Sequence, residues 1–156
     1  MKHASRLIIL CAVSLFAILT CASAQEIKSG KVVFDFRSGN PKSAALHVKL
    51  IHQTYQDLAA AGKNPDFKVS FMGPAVKLIS NNREGFTAEE QKDLDAIAEG
   101  VSVLEKDGIR LDVCRIAASV MKVDIATVLP AIKPTDNGWF SLIAYQSQGY
   151  SLVPIY

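Results

Sequence analysis

The feature that most constrains the fold of this chain is an alternation of short apolar runs with longer segments of helical periodicity. Five runs are predicted as strands, namely Lys31–Phe36, Phe67–Met72, Ile109–Cys114, Ala131–Lys133 and Tyr150–Ile155. Between them, apolar residues recur at the spacing of one helix face, as at Ala44, Val48 and Ile51. Strands that alternate with helices form a mostly parallel sheet. The pattern therefore predicts a single α/β domain, with a five-stranded sheet, helices on both faces and the flavodoxin-like strand order 2-1-3-4-5.

Capping residues mark where the longer helices begin. Three starts are predicted, at Asn40, at Thr87 and at Asp136 or Asn137. Thr87 and Glu90 have the spacing of a capping box, in which each side chain bonds the backbone of the other residue. The helix that begins there contains Gly100, which costs up to about 1 kcal/mol relative to alanine.

The first 24 residues have the pattern of a secretory signal peptide. Lys2 and Arg6 precede the apolar run Leu7–Leu19, and small residues stand just before Gln25. The run is shorter than the about 20 residues needed to cross a bilayer. We therefore expect cleavage before Gln25, a periplasmic location, one domain over residues 25–156 and no membrane association after cleavage.

Removal of this segment changes the charge and the cysteine content. Without Lys2 and Arg6, the 17 basic residues fall to 15 and equal the 15 acidic residues, so no basic surface predicts a nucleic-acid partner. Two of the three cysteines also leave, and Cys114 remains as a single thiol. A competing interpretation, lipidation at Cys21, fits poorly because Thr20 precedes that cysteine where a small residue is expected.

Cys114 is the main candidate for chemistry. It ends the third predicted strand and opens the next helix, where unpaired amide groups favour a thiolate. Arg115 adjoins it, Arg110 lies four residues before it, and Arg37 can approach from the loop after the first strand. The alternative is an inert cysteine buried as a small apolar residue.

The loop after the first strand is a second candidate. Arg37, Ser38, Gly39 and Asn40 precede a helix whose first amides can bind an anion, and Asp35 can accept a proton or orient Arg37. A plain turn is the alternative for the loop. The loop lacks the glycine spacing of a dinucleotide or phosphate fingerprint, so no cofactor is predicted.

His47 and His52 are not predicted to form a metal site. His47 and His52 lie five residues apart, which separates them around a helix, and no metal-binding motif accompanies them. Trp139, Phe140 and the apolar end Val153–Tyr156 fit either core packing or a subunit interface.

The segment from Gly108 to Ala118, GIRLDVCRIAA, resembles the active-cysteine segment of the DsrE/DsrF/TusD sulfur-relay family, in particular its exported branch. Other similar positions follow in the same order along the chain: Val32–Phe34, Gly73, Val76, Leu129–Pro130, Gln146 and Gly149–Tyr150. The resemblance implies a flavodoxin-like, DsrE-like subunit that assembles into trimers or hexamers. It also implies that Cys114 accepts sulfur as a persulfide and passes it to a partner thiol.

Two functions follow as expectations. The first is a periplasmic sulfur carrier, related to sulfurtransferases, in which Cys114 exchanges sulfur with a thiol or persulfide of a donor and an acceptor. The second is a non-enzymatic, oligomeric binding or assembly protein with an inert buried Cys114. The exported members of the family supply a fold and a cysteine but no defined substrate.

Overall fold

A computed structural model describes residue 27 and residues 29–156, so the predicted signal peptide lies outside the described residues. The strands are β1 (Lys31–Phe36), β2 (Asp66–Phe71), β3 (Arg110–Cys114), β4 (Lys133–Thr135) and β5 (Ser151–Ile155). The helices are α1 (Pro41–Ala60), α2 (Ala75–Leu78), α3 (Ala88–Lys106), α4 (Arg115–Val120) and α5 (Gly138–Ser147). A 3₁₀ turn, Ile125–Thr127, precedes β4.

The five strands form one parallel sheet in the order β4-β3-β2-β1-β5. The predicted class, an α/β domain with a five-stranded sheet flanked by helices, is confirmed. The predicted order 2-1-3-4-5 is wrong, because β2 separates β1 from β3. The chain instead moves in one direction from β1 to β4 and then returns to place β5 beside β1.

The packing of α1 against α3 shows why this order forms. Right-handed crossovers that advance in one direction place consecutive helices on one face of the sheet, whereas the order 2-1-3 would place these two on opposite faces. A side chain at Gly100 of α3 would put its Cβ 2.5 Å from Cγ1 of Val48 on α1. Gly100 is therefore the position that lets the two helices approach closely.

The two edge strands contain proline. β4 was expected at Ala131–Lys133 but lies at Lys133–Thr135, with Pro134 in its centre. An edge strand pairs on one side only, so a proline there need not interrupt a ladder. Pro154 likewise lies in an edge strand, because β5 pairs with β1 alone.

The two faces of the sheet are covered unequally. The larger core lies under α1 and α3, and its fully buried side chains include Phe36, Phe71 and Leu94. A smaller cluster lies on the other face under α5 and contains Val33, Met72, Cys114, Leu142 and Tyr150. Residue 27 and residues 29–156 include no helix that is both long enough and apolar enough to span a bilayer.

Candidate active site around Cys114

Cys114 lies where three elements meet. It is the last residue of β3 and the N-cap of α4, and its Sγ accepts a hydrogen bond from the amide of Ala117 at 3.4 Å. The same Sγ accepts a second hydrogen bond, at 3.2 Å, from the amide of Gly138, the first residue of α5. The starts of two helices therefore supply donors to one sulfur atom, and both donors favour negative charge on it.

The cap of α5 leaves the Gly138 amide available for this bond. Oδ1 of Asn137 accepts hydrogen bonds from the amides of Trp139 at 3.0 Å and Phe140 at 3.4 Å. The first amide of the helix, that of Gly138, points to Cys114 instead. Of the two predicted caps, Asn137 is the one that the structure uses.

Gly138 is required by the close approach of α5 to β3. A Cβ at this position would lie 2.9 Å from Cβ of Cys114 and would overlap Sδ of Met72. A side chain here would therefore require Met72, Cys114 or the start of α5 to shift. Sequence reasoning missed Gly138; the signal for it is a glycine directly after an N-cap asparagine, where a better helix former would be expected.

A cavity of about 300 Å³ opens beside Cys114 at the carboxyl ends of the strands. Its lining consists of Arg37, Met72, Gly73, Cys114, Ile116, Ala117, Val120, Met121, Asn137 and Trp139. Although Cys114 is only 6% exposed, it forms part of the wall of this cavity.

Of the four residues of the predicted loop after β1, Arg37 alone lines the cavity. Arg37 lines the cavity, and its Nε donates to both carboxylate oxygens of Asp35 at 2.9 Å. Asp35 is buried and orients Arg37. The three residues that follow do not line the cavity: Ser38 is buried, Gly39 packs against Pro74, and Asn40 caps α1 by accepting a hydrogen bond from Ser43.

The other two candidate arginines point elsewhere. Arg110 donates through Nε to Oδ1 of the buried Asp112 at 2.9 Å, and neither residue lines the cavity. Arg115 is half exposed, and its Nε lies 3.4 Å from Oδ1 of Asp136, which is fully exposed. Of the three, Arg37 alone lines the cavity beside Cys114.

Asp112 organises a second polar group beneath the site. Tyr145 of α5 donates its hydroxyl to Oδ2 of Asp112 at 2.6 Å and thereby ties this helix to β3. Burial, together with the hydrogen bond and charge of Asp112, raises the pKa of Tyr145 to about 12. The charge of Asp112 also raises the pKa of Arg110, against the effect of burial.

Several large apolar side chains on α4 and α5 are exposed. Trp139 and Phe140 on α5 are 65% and 71% exposed, so core packing was the wrong alternative for these two residues. Ile143 on the same helix and Ile116 and Val120 on α4 are also exposed.

His47 and His52 lie on α1, and neither lines the cavity beside Cys114. Nδ1 of His47 is 3.4 Å from the Ser43 hydroxyl, and Nε2 of His52 is 3.0 Å from Oδ2 of Asp107. Among the residues that the structure describes, no three His, Cys, Asp or Glu side chains are grouped to hold a metal ion.

Comparison with known proteins places the chain in a family. Residues 31–155 match the model of the DsrE/DsrF-like family. An uncharacterized protein of Aquifex aeolicus (strain VF5) is 27% identical over 125 residues, which are 80% of this chain and 55% of that protein. The chain thus spans about half the length of this curated relative.

Two solved structures have a similar fold. Protein MTH1491 of Methanobacterium thermoautotrophicum, of unknown function, has a TM-score of 0.62 and 16% identity, with 79% of this chain and 96% of that chain covered. The ychN protein of E. coli has a TM-score of 0.53 and 12% identity, with 81% and 98% covered. At these identities, the similarity shows the fold alone.

Proposed function

The chain belongs to the DsrE/DsrF-like family, and from that premise we propose that it is a sulfur carrier whose Cys114 accepts sulfur as a persulfide and passes it on. The observation that carries this proposal is the pair of amide donors, from Ala117 and Gly138, on Sγ of Cys114. They stabilise an anionic sulfur, which is both the nucleophile and the leaving group of sulfur exchange.

The transfer consists of two balanced exchanges. The Cys114 thiolate attacks the outer sulfur of a donor persulfide, R–S–SH; a new S–S bond forms, and R–S⁻ leaves and takes up a proton. The thiolate of an acceptor then attacks the outer sulfur of the Cys114 persulfide, and Cys114 leaves as a thiolate. Neither exchange needs an external oxidant or reductant.

Mass spectrometry tests the proposal. The chain beginning at Gln25 contains Cys114 as its one cysteine, so thiol chemistry reports on that residue alone. After incubation with polysulfide, the protein should gain the mass of one sulfur atom and lose it when a small thiol is added, whereas the Cys114→Ser variant should gain nothing. No gain under conditions that modify glutathione would overturn the proposal.

A second candidate, an assembly protein with an inert cysteine, is favoured by the low exposure of Cys114. Alkylation of the native protein separates the two. Labelling near neutral pH at a rate close to that of the unfolded protein supports the carrier, whereas protection until denaturation supports the inert cysteine.

We also propose that the protein is exported to the periplasm. The support is the signal-peptide pattern of residues 1–24 in the sequence. Expression of the full chain, fractionation and N-terminal sequencing should give a periplasmic protein that begins at Gln25. A cytoplasmic protein that retains Met1 would contradict it.

A homo-oligomer, a trimer or hexamer, is the proposed assembly. The support is the exposure of apolar side chains away from the cavity lining: Leu152, Val153 and Tyr156 at the edge strand β5, and Ile143 on α5. Light scattering at micromolar concentration should give three or six times the mass of one chain. A mass near that of one chain would refute the oligomer.

A further inference from the structure

The cavity beside Cys114 has one charged wall in an otherwise apolar lining. Of its described lining residues, Arg37 alone carries a charge, and no carboxylate faces the cavity. We infer that the sulfur donor is a small organic anion, with a carboxylate or sulfonate that faces Arg37 and an apolar body that contacts Trp139. This inference rests on the proposed function, because it names the substrate class of the same cysteine.

Arg37 lines the cavity and is held at Nε by Asp35. Both hydrogen bonds that its side chain makes within residues 29–156 use Nε, so the terminal nitrogen atoms Nη1 and Nη2 remain available to a ligand. Asp35, which accepts those bonds, is buried and absent from the cavity lining. The pair is neutral as a whole, but of its two members Arg37 alone lines the cavity. A planar guanidinium in this position suits a carboxylate or sulfonate.

The rest of the lining favours an apolar body next to that anion. Ile116, Val120 and Trp139 contribute exposed apolar surface at the cavity. A volume of about 300 Å³ is at the lower end of the range for small-molecule sites. The site therefore fits a low-molecular-weight persulfide better than the persulfide of a folded partner.

Charged and neutral methanethiosulfonates test the role of Arg37 without any sulfur transfer. In each reaction the Cys114 thiolate attacks the sulfenyl sulfur, a mixed disulfide forms, and methanesulfinate leaves. The reagents are sulfonatoethyl, trimethylammonioethyl and methyl methanethiosulfonate, which are anionic, cationic and neutral. The rate of each is followed by intact mass.

The Arg37→Gln variant should lower the ratio of the anionic to the neutral rate about fivefold or more, because the cavity loses its one cation. Arg115→Gln makes the same change of charge on a nearby arginine outside the cavity, and should leave the ratio within about twofold. Arg37→Lys, which keeps the charge, should retain most of the preference. Since Arg37→Gln leaves the buried Asp35 without its partner, the double variant Arg37→Gln/Asp35→Asn serves as a second test that avoids an unpaired buried charge.

The apolar wall has its own control. In the wild-type protein, benzyl methanethiosulfonate should react with Cys114 faster than the methyl reagent does. Trp139→Ala should lower the ratio of the benzyl to the methyl rate about threefold or more. Phe140→Ala removes the neighbouring exposed aromatic side chain, which does not line the cavity, and should leave the ratio unchanged.

The outcomes separate this inference from the function on which it rests. The inference alone is overturned if Cys114 reacts with the neutral reagent but shows no preference for the anionic one. It is also overturned if Arg37→Gln and Arg115→Gln lower the ratio of the anionic to the neutral rate equally. Failure of all three reagents to reach Cys114 in the native protein overturns both. An anionic preference lost with Arg37, together with no uptake of sulfur from polysulfide, supports the anion site and overturns the carrier function.

Discussion

The amide nitrogen of Gly138 lies 3.2 Å from Sγ of Cys114, although 24 residues separate them in sequence. This contact fixes the start of α5 on the end of β3 and gives the sulfur a donor from a second helix, besides the one from its own helix α4. The absence of a side chain at Gly138 makes the contact possible, because Met72 and Cys114 occupy the space of a Cβ. The proposed reactivity of Cys114 therefore depends on a residue with no functional group of its own.

Gly138→Ala should slow the reactions of Cys114 and lower stability. The added methyl group displaces the start of α5, which removes one amide donor from Sγ and overpacks the site at a cost of about 1–3 kcal/mol. The measurements are the rate of alkylation by iodoacetamide and the free energy of unfolding in urea.

Gly100→Ala is the matched control for Gly138→Ala. It also places a methyl group in a close contact, with Val48 between α1 and α3, but on the opposite face of the sheet from Cys114. Its stability should fall by a similar amount while alkylation of the folded protein keeps the wild-type rate. Equal slowing in both variants would show that reactivity follows stability and not the Gly138 amide.

Asn137→Ala should also reduce both stability and reactivity. The loss of the N-cap frays the first turn of α5 and costs about 1 kcal/mol, and a frayed turn no longer holds the Gly138 amide on the sulfur. Asn40→Ala removes the same type of cap from α1 and should cost about as much without changing the alkylation rate. The idea fails if the two variants alkylate equally fast.

Local signals in the sequence predict the elements of this fold closely. The caps at Asn40, Thr87 and Asn137 are present, and Thr87 and Glu90 form both hydrogen bonds of the capping box. The strand bounds agree within one or two residues because an apolar run and its turn residues are local properties.

Long-range relationships could not be predicted in the same way. Alternation along a strand tells which residues share a face but not which strand lies beside it, and for this reason the strand order was wrong. Gly100 on the apolar side of α3 was the available signal, since a missing side chain there indicates a closely packed helix. At the site, the sequence predicts Cys114 but does not distinguish among three arginines near it. Tertiary packing decides which arginine lines the cavity, and that residue is Arg37.

The salt bridge between Asp66 and Lys68 should make stability depend weakly on acidic pH. Partial burial alone would raise the pKa of Asp66, but hydrogen bonds from Lys68 and Tyr150 outweigh it and lower the pKa below its ordinary value of 3.8. A carboxylate with a lowered pKa contributes stability above its unfolded pKa, and that contribution is lost as the pH falls through the folded pKa.

Asp66→Asn should therefore destabilise the protein more at pH 7 than at pH 3. The side chain of Asp66 is 43% exposed, so solvent screens the pair and the cost at pH 7 should stay below about 1 kcal/mol. Asp136→Asn, at a fully exposed carboxylate, should have no effect at either pH. Urea unfolding at the two pH values measures the difference, and a cost that does not change with pH would contradict the lowered pKa of Asp66.

Tyr145→Phe should destabilise the protein by about 1–3 kcal/mol, because the buried Asp112 carboxylate loses a hydrogen bond that water cannot easily replace. The pKa of Tyr145 is raised from 10.0 to about 12, so its contribution is fully present below pH 10 and is lost as the pH rises through 12. Urea unfolding at intervals from pH 8 to pH 11 should show the cost of the substitution shrinking at the alkaline end.

Tyr150→Phe removes a hydroxyl that donates to the half-exposed Asp66, and at pH 8 it should cost less. Equal costs for the two tyrosines, or a cost for Tyr145→Phe that grows with pH, would show that the bond to Asp112 does not hold α5 on β3.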